Sequence, residues 1–271
     1  MTSPYPSSRL LPFQGTHNFR DAGGYHTSDG LRVRWGRLYR SDDLGRLTRS
    51  DREKLARLDL KLVVDLRMPF EYHTRADRLP RNFTGQVVHL PIHRAINHFL
   101  WRGTTQGRLI LWLLSGQTRY LGTDNSFYKY YRSLALNFTK TYTQLFELLL
   151  DPSHSPAVIH CTEGKDRAGV AMAWIHLALG VPVESVFEDY LLTNDCISSQ
   201  VAQRLRAIRW VSLFRTSPEQ IRSMLVARRE FLQATLDAAQ EKYGSLDNYI
   251  TRALGITPEI RARLREIYLE Q

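Results

Sequence analysis

The chain has 271 residues, 43% of them hydrophobic and 24% charged, which suits one large domain with an ordinary core. The 37 Lys and Arg outnumber the 27 Asp and Glu, giving a net charge of +10; that excess favours anionic partners: a phosphorylated substrate, an acidic lipid or nucleic acid. Two cysteines are too few for a disulfide framework, and no apolar run reaches the roughly 18 residues of a membrane span.

Residues 1–16 read as a loose arm and 17–271 as a single domain. Met1 to Arg9 is Pro- and Ser-rich with no apolar stretch. No Sec-type signal peptide is therefore expected, and the location expected is cytoplasmic, or outside the cell by a route that needs no such signal. Residues 17–41 read as a hairpin around Ser28-Asp29-Gly30, with Leu31 to Trp35 alternating. Thr48 followed by Asp51 signals a capping box, starting a helix that ends near Leu58. Leu62-Val63-Val64 is a short buried strand ending at Asp65, and Val87 to Leu90 is a second. Residues 92–125 carry apolar runs without clear caps. A helix is predicted from near Ser126 to Leu150, stopped by Asp151-Pro152.

Pro156 to His160 is then a strand, Arg167 to Leu179 a helix closed by Gly180, and Pro182 to Leu192 another helix. The remainder reads as helical over about 217–271. Ser217 and Thr257 each precede Pro and an acid, and Ser245 starts a segment ending near Gly255. Strands separated by helices predict an α/β layered domain with a mostly parallel central sheet flanked by helices.

The chemistry concentrates in His160-Cys161-Thr162-Glu163-Gly164-Lys165-Asp166-Arg167-Ala168-Gly169, between a buried strand and an apolar helix. A tight loop of this length aims its backbone N–H groups, from Thr162 through Arg167, at a common point on the helix N-terminus, where they can hold phosphate oxygens. Gly164 permits close backbone approach. The planar fork of Arg167 can grip two oxygens at once. Cysteines in such a setting have pKa values lowered to about 3.5–7.5, so Cys161 is expected to be a thiolate poised for in-line attack and a phosphocysteine intermediate. A nucleotide-binding P-loop is excluded, because Gly164-Lys165 is followed by Asp166 rather than Ser or Thr, and no Gly stands at position 159. A sulfur-transferase loop also places Cys at a strand end but need not close on Arg.

This run resembles the H-C-x5-R signature of the cysteine phosphatases. More narrowly, it resembles a bacterial and fungal branch of tyrosine and lipid phosphatases whose loop reads H-C-x-x-G-K-D-R-[T/A]-G. Asn18-Phe19-Arg20-Asp21-Ala22-Gly23-Gly24, Arg37 to Ser41, and Val64-Asp65-Leu66-Arg67 with Glu71 match further motifs of that branch, so the resemblance spans about residues 17–195. It implies a compact phosphatase fold with a helical lid, here at about 92–140. It also implies activity on phosphotyrosine extending to phosphoinositides, and sometimes to phosphoserine or phosphothreonine.

Cys161 is then the expected nucleophile and Arg167 the phosphate clamp. Thr162, Glu163, Gly164 and Lys165 would line the substrate, with Lys165 available for a second phosphate. Two carboxyl groups compete for the role of general acid. Asp166 lies beside the clamp and is the acid the resemblance implies; Asp65 ends a buried strand at the sheet's carboxyl edge. Asp65, Arg67 and Glu71 also read as a structural ion-pair set. His160 is expected to shape the loop by hydrogen bonding, Arg20 to brace it, and Cys196 to be inert. His89, His93 and His98 are spaced like ligands, but Pro91 interrupts any common helix face, so no metal and no cofactor is expected. Nucleic acid is not expected as a partner, since no finger, recognition helix or aromatic platform is present. The expected partner is a phosphorylated protein or a phosphoinositide, with peripheral membrane contact in the second case. The competing reading is a catalytically silent module that binds phosphotyrosine or phosphoinositide.

Overall fold

The computed structural model describes residues 9–93, 124–211, 222 and 225–271. Its main sheet contains β1 (Arg20–Asp21), β3 (Leu38–Ser41), β6 (Ala157–His160), β4 (Leu62–Asp65) and β5 (Gln86–His89), in that spatial order. β1 is antiparallel to β3, and the other neighbours are parallel. This is the α/β, mostly parallel arrangement expected of the sequence. β6 lies in the centre, so the loop after it opens at the carboxyl edge of the sheet, where α/β folds place their ligands.

Strand alternation divides the core in two. Leu38, Leu62, Val64, Ala157 and Ile159 face the larger side, which includes Trp174 and Leu179. Tyr39, Val63 and Val158 face a smaller cluster with Phe19, Leu44 and Leu55. Helix α1 (Arg49–Ala56) covers that second side and is fixed by the expected capping box: Thr48 Oγ1 accepts from Asp51 N, and the Asp51 carboxylate accepts from Thr48 N. The short α2 (Pro69–Thr74) follows β4.

Asp124–Asn137 (α3) and Thr139–Leu149 (α4) replace the single helix predicted from Ser126 to Leu150; the break falls at Phe138. Most of the 92–140 segment read as a lid lies outside the described residues. Its described end, α3, sends Tyr130, Tyr131 and Leu134 into the core. Arg167–Leu179 (α5) follows the loop and is buried along nearly its whole length. It ends at Gly180, whose φ of +94° is the left-handed cap only glycine adopts at little cost.

Val183–Val211 (α6) runs well past the predicted end at Leu192. Just past that predicted end, Thr193 and Asn194 are residue types whose side chains ordinarily compete for the backbone. Here those side chains are taken by tertiary partners. Thr193 Oγ1 accepts from Arg20 and Arg40, and Asn194 bonds both backbone groups of Ala227, so the helix continues.

Arg229–Tyr243 (α7) packs on α3, and Pro258–Tyr268 (α8) starts at the predicted Thr257 cap. The predicted Ser217 cap lies outside the described residues. The tail is not wholly helical. Leu269–Glu270 (β7) pairs antiparallel with β2 (Arg32–Val33), tied by an Arg32–Glu270 ion pair at 3.0 Å. The predicted hairpin turn is present, with Gly30 N donating to Thr27 O. The strand after it pairs on its outer edge with the C-terminus, and β1 pairs with β3. No helix among the described residues is long and apolar enough to cross a membrane.

Candidate active site

The loop from Cys161 to Arg167 is held from outside by three carbonyl contacts. Glu163 O accepts from Asn18 Nδ2 at 3.0 Å, Gly164 O from Arg40 Nε at 2.8 Å, and Lys165 O from Arg40 Nη2 at 3.1 Å. In a planar trans peptide the carbonyl and the following N–H point to opposite sides. Pinning these carbonyls outward therefore turns the amides of Gly164, Lys165 and Asp166 to the inner side, forming an anion-binding nest. Gly164 has φ +63°, and a Cβ there would lie 2.7 Å from Ser41 O and 2.8 Å from both Asn18 Nδ2 and Asp42 N. Gly164→Ala is expected to destabilise the fold by at least about 1–2 kcal/mol from the left-handed backbone alone. Urea melts of the variant and the wild type check this, and an unchanged midpoint would contradict it.

The bracing residues are themselves braced. Asp189, on α6, is buried between two buried arginines, with Oδ1 3.3 Å from Arg20 Nε and Oδ2 2.7 Å from Arg40 Nη1. Burial disfavours its charge, but Arg20 and Arg40 prevail and hold its carboxyl well below the usual range. Arg20 also donates to Asn18 Oδ1. A chain of contacts thus runs from Asp189 through Arg20 and Asn18 to the loop backbone.

Asp42 sits beneath Gly164 and accepts from the backbone amides of His17 and Asn18. Burial pushes its carboxyl up to about 6 despite these bonds. A carboxyl raised on folding contributes stability that is complete below its unfolded value of about 3.9 and is lost as pH rises through about 6. Between those limits the protein is expected to lose about 1–3 kcal/mol that Asp42→Asn does not lose. Thermal melts of both proteins across the interval measure the difference.

Cys161 is 1% exposed and its backbone N–H extends the β3–β6 ladder to Ser41 O. The Arg167 guanidinium is buried. Nη1 lies 2.6 Å from Glu71 Oε2 and Nη2 lies 3.1 Å from Glu71 Oε1, a two-point pair. Burial lowers the pKa of Arg167, but the Cys161 sulfur and Glu71 outweigh it and keep the guanidinium firmly charged. Thr162 Oγ1 donates to Glu71 Oε1 at 2.6 Å. Burial raises the Glu71 carboxyl, yet Arg167 and Thr162 hold it below its ordinary value.

Glu71 therefore does not belong to the Asp65–Arg67 set in which the sequence had placed it. Its position three residues into α2 lets it cap Met68 N with the same carboxylate that orients Arg167. The signals that could have found it were Pro69 at the first helical position and an acid two residues later.

Asp65 stands apart from this group. Its oxygens accept from Arg67 N, Nε and Nη2 at 2.6–3.0 Å. Burial opposes its charge, but His160 and Arg67 keep it below the ordinary carboxylate value. His160 Nε2 faces Asp77 Oδ2 at 3.1 Å behind the loop. The ligand-type atoms of Asp65, Asp77 and His160 come within 4.8 Å of one another. The cation among them is the Arg67 guanidinium, 2.6 Å from Asp65 and 2.8 Å from Asp77. His89 Nε2 donates to Arg67 O at 2.8 Å and its ring stacks on Tyr72, while His98 lies outside the described residues. Cys196 is half-buried, and burial raises its thiol.

Asp166 begins α5. Tyr131 donates its hydroxyl hydrogen to Asp166 Oδ1, and Lys165 Nζ lies 3.7 Å from the same oxygen and 3.4 Å from Val226 O. Glu163 turns outward to pair with Arg204 at 2.8 Å. The arrangement gathers a buried thiol, a fixed guanidinium, inward amides and a carboxyl group around one strand-to-helix turn. That set can hold a tetrahedral oxyanion beside a nucleophile.

Sequence comparison points the same way. A sequence profile described as the tyrosine phosphatase family matches residues 11–270. A Cupriavidus necator protein provisionally named a tyrosine-protein phosphatase is 28% identical over 261 residues, covering 96% of this chain and 88% of that one. The triple specificity protein phosphatase PtpB of Mycobacterium tuberculosis is 29% identical over 294 aligned positions, covering 96% of this chain and 99% of that one. A Nostoc commune tyrosine-protein phosphatase is 28% identical over 163 residues, 59% of this chain and 49% of that one.

Proposed function

The chain belongs to the tyrosine phosphatase family, and from that premise we propose that it hydrolyses phosphotyrosine through a phosphocysteine on Cys161, with phosphoinositides as a second substrate class. The observation that supports this best is the pinning of three successive loop carbonyls by Asn18 and Arg40, which turns the following amides inward, where a phosphate would be held. In the first step the Cys161 sulfur attacks phosphorus, the P–O bond to the leaving group breaks, and Asp166 gives its proton to the departing oxygen. Arg167, oriented by Glu71, grips two equatorial oxygens as charge builds. In the second step water attacks the phosphocysteine, Asp166 takes the proton, and the S–P bond breaks.

Asp166 suits the proton transfer better than Asp65. A carboxylate bound on both oxygens by Arg67 resists taking up a proton. The extension to phosphoinositides rests on Lys165, a cation within the loop with its ammonium beside Asp166; the name of the mycobacterial relative, a triple specificity phosphatase, is in keeping with it.

The test is a kinetic panel of a phosphotyrosine peptide, a phosphoserine peptide and a short-chain phosphoinositide, each with and without vanadate. Vanadate-sensitive turnover of the phosphotyrosine peptide is expected, with the lipid turned over by the wild type and lost selectively in Lys165→Met. Binding of the peptide without any turnover would instead favour a silent phosphate-binding module.

A further inference from the structure

Two buried tyrosines that no motif singles out lie against the carboxyl group at the start of α5. Tyr131 comes from α3 and Tyr190 from α6, and neither has measurable exposure. The Tyr131 hydroxyl bonds to Asp166 Oδ1 and lies 2.6 Å from the Tyr190 hydroxyl. Asp166 can only accept in its charged form, which fixes the direction of the chain: Tyr190 donates to Tyr131 and Tyr131 to Asp166. Burial, then Asp166 and Tyr190, raise the Tyr131 hydroxyl well above its ordinary value, so it stays protonated and remains a donor.

The ring has little freedom. It stacks on Phe231 of α7 at 5.2 Å, and its backbone carbonyl accepts from buried Thr235 Oγ1 at 2.9 Å. A core made of ordinary packing would place phenylalanine here, because each buried hydroxyl must find a partner. These two hydroxyls find each other and then one specific carboxyl group.

We propose that Tyr131, supported by Tyr190, is a positioning residue for proton transfer: it orients the Asp166 carboxyl and stabilises the carboxylate left when that proton has gone. The proposal rests on the assignment of Asp166 as general acid. When Asp166 protonates the leaving oxygen, it becomes an anion in a buried site, and the hydroxyl chain supplies the hydrogen bond that water would otherwise give. The same anion is the base for the second step, so the contact serves both halves of turnover without any change of geometry.

The test compares wild type, Tyr131→Phe, Tyr190→Phe and Asp166→Asn on p-nitrophenyl phosphate, a good leaving group, and phenyl phosphate, a poor one. Asp166→Asn is expected to lose about 10²-fold more kcat on the poor leaving group than on the good one, and Tyr131→Phe about tenfold more. Tyr190→Phe should shift in the same direction by a smaller factor. Removing the donor raises the Asp166 pKa, so the basic limb of kcat/KM in Tyr131→Phe should move to higher pH. The inhibition constant for vanadate should stay within about twofold of wild type, since the loop is untouched.

Equal losses on both substrates, an unmoved basic limb or a proportional loss of vanadate binding would assign Tyr131 a merely structural role and overturn the proposal. If Tyr131→Phe fails to fold, Tyr190→Phe carries the same comparison. If Asp166→Asn shows no dependence on the leaving group, the acid assignment itself falls, and the Tyr131 proposal with it. If only Tyr131→Phe lacks that dependence, the assignment stands and the positioning role alone is rejected.

Discussion

Cys161→Ser is expected to lower kcat on p-nitrophenyl phosphate by on the order of 10⁴-fold or more, the scale on which loss of a nucleophile is felt. A serine hydroxyl at neutral pH needs a base to take its proton. Among the described residues, the nearby His160 faces Asp77 behind the loop, so it is not arranged to serve. The substitution is slightly smaller than the native side chain, and the site is 1% exposed. The fold and the anion site should therefore survive. Vanadate forms its tight complex by bonding to the nucleophile, whereas phosphate needs only the amides and Arg167. Inhibition by inorganic phosphate is accordingly the measure of an intact site, and it should change little. Retention of a tenth or more of wild-type turnover would contradict the assignment.

Asp189→Asn is expected to lower stability by about 3–5 kcal/mol, the typical result of removing one partner from a buried charge pair. For a chain of this size that corresponds to a fall in Tm of roughly 10 °C. The effect is large because one carboxylate serves two fully buried guanidiniums. Losing its charge leaves Arg20 and Arg40 in a low-dielectric site with like charge facing like charge. The effect also has a sign in pH. Asp189 is held below its unfolded value, so its contribution is present above about pH 4 and is lost as pH falls through the folded value. The gap between wild type and variant should therefore narrow on acidification. Activity should drop with stability, since Arg40 also holds Gly164 O and Lys165 O. A Tm unchanged at neutral pH would show that the loop does not depend on this cluster.

Short-range patterns made part of the molecule legible from sequence. The short apolar run Leu62-Val63-Val64, the Thr48 and Thr257 caps and Gly180 act within a few residues, and each lies where the local pattern put it. The loop from Cys161 to Arg167 was legible because its geometry is also local: a strand, a fixed count of residues and a helix. What stayed hidden depends on distant partners. Glu71 lies 96 residues before Arg167, and Asp189 lies 169 residues after Arg20 and 149 after Arg40. Tyr131 and Tyr190 carry no local signal, and only the tertiary fold brings their hydroxyls together and to Asp166. The length of α6 was missed for the same reason. Thr193 and Asn194 carry a local signal to stop, which their tertiary hydrogen bonds remove. The pairing of β7 with β2 joins opposite ends of the chain, beyond the reach of any sequence window.

The account turns on whether phosphorus becomes bonded to sulfur during turnover. Acid quench of the enzyme within one turnover of p-nitrophenyl phosphate, followed by digestion and mass spectrometry, addresses this directly. The peptide containing Cys161 is expected to carry the phosphoryl group in wild type and to accumulate more of it in Asp166→Asn, where water is activated poorly in the second step. Rapid turnover with Cys161 unmodified at every quench time, or with phosphate attached to another residue, would contradict the mechanism.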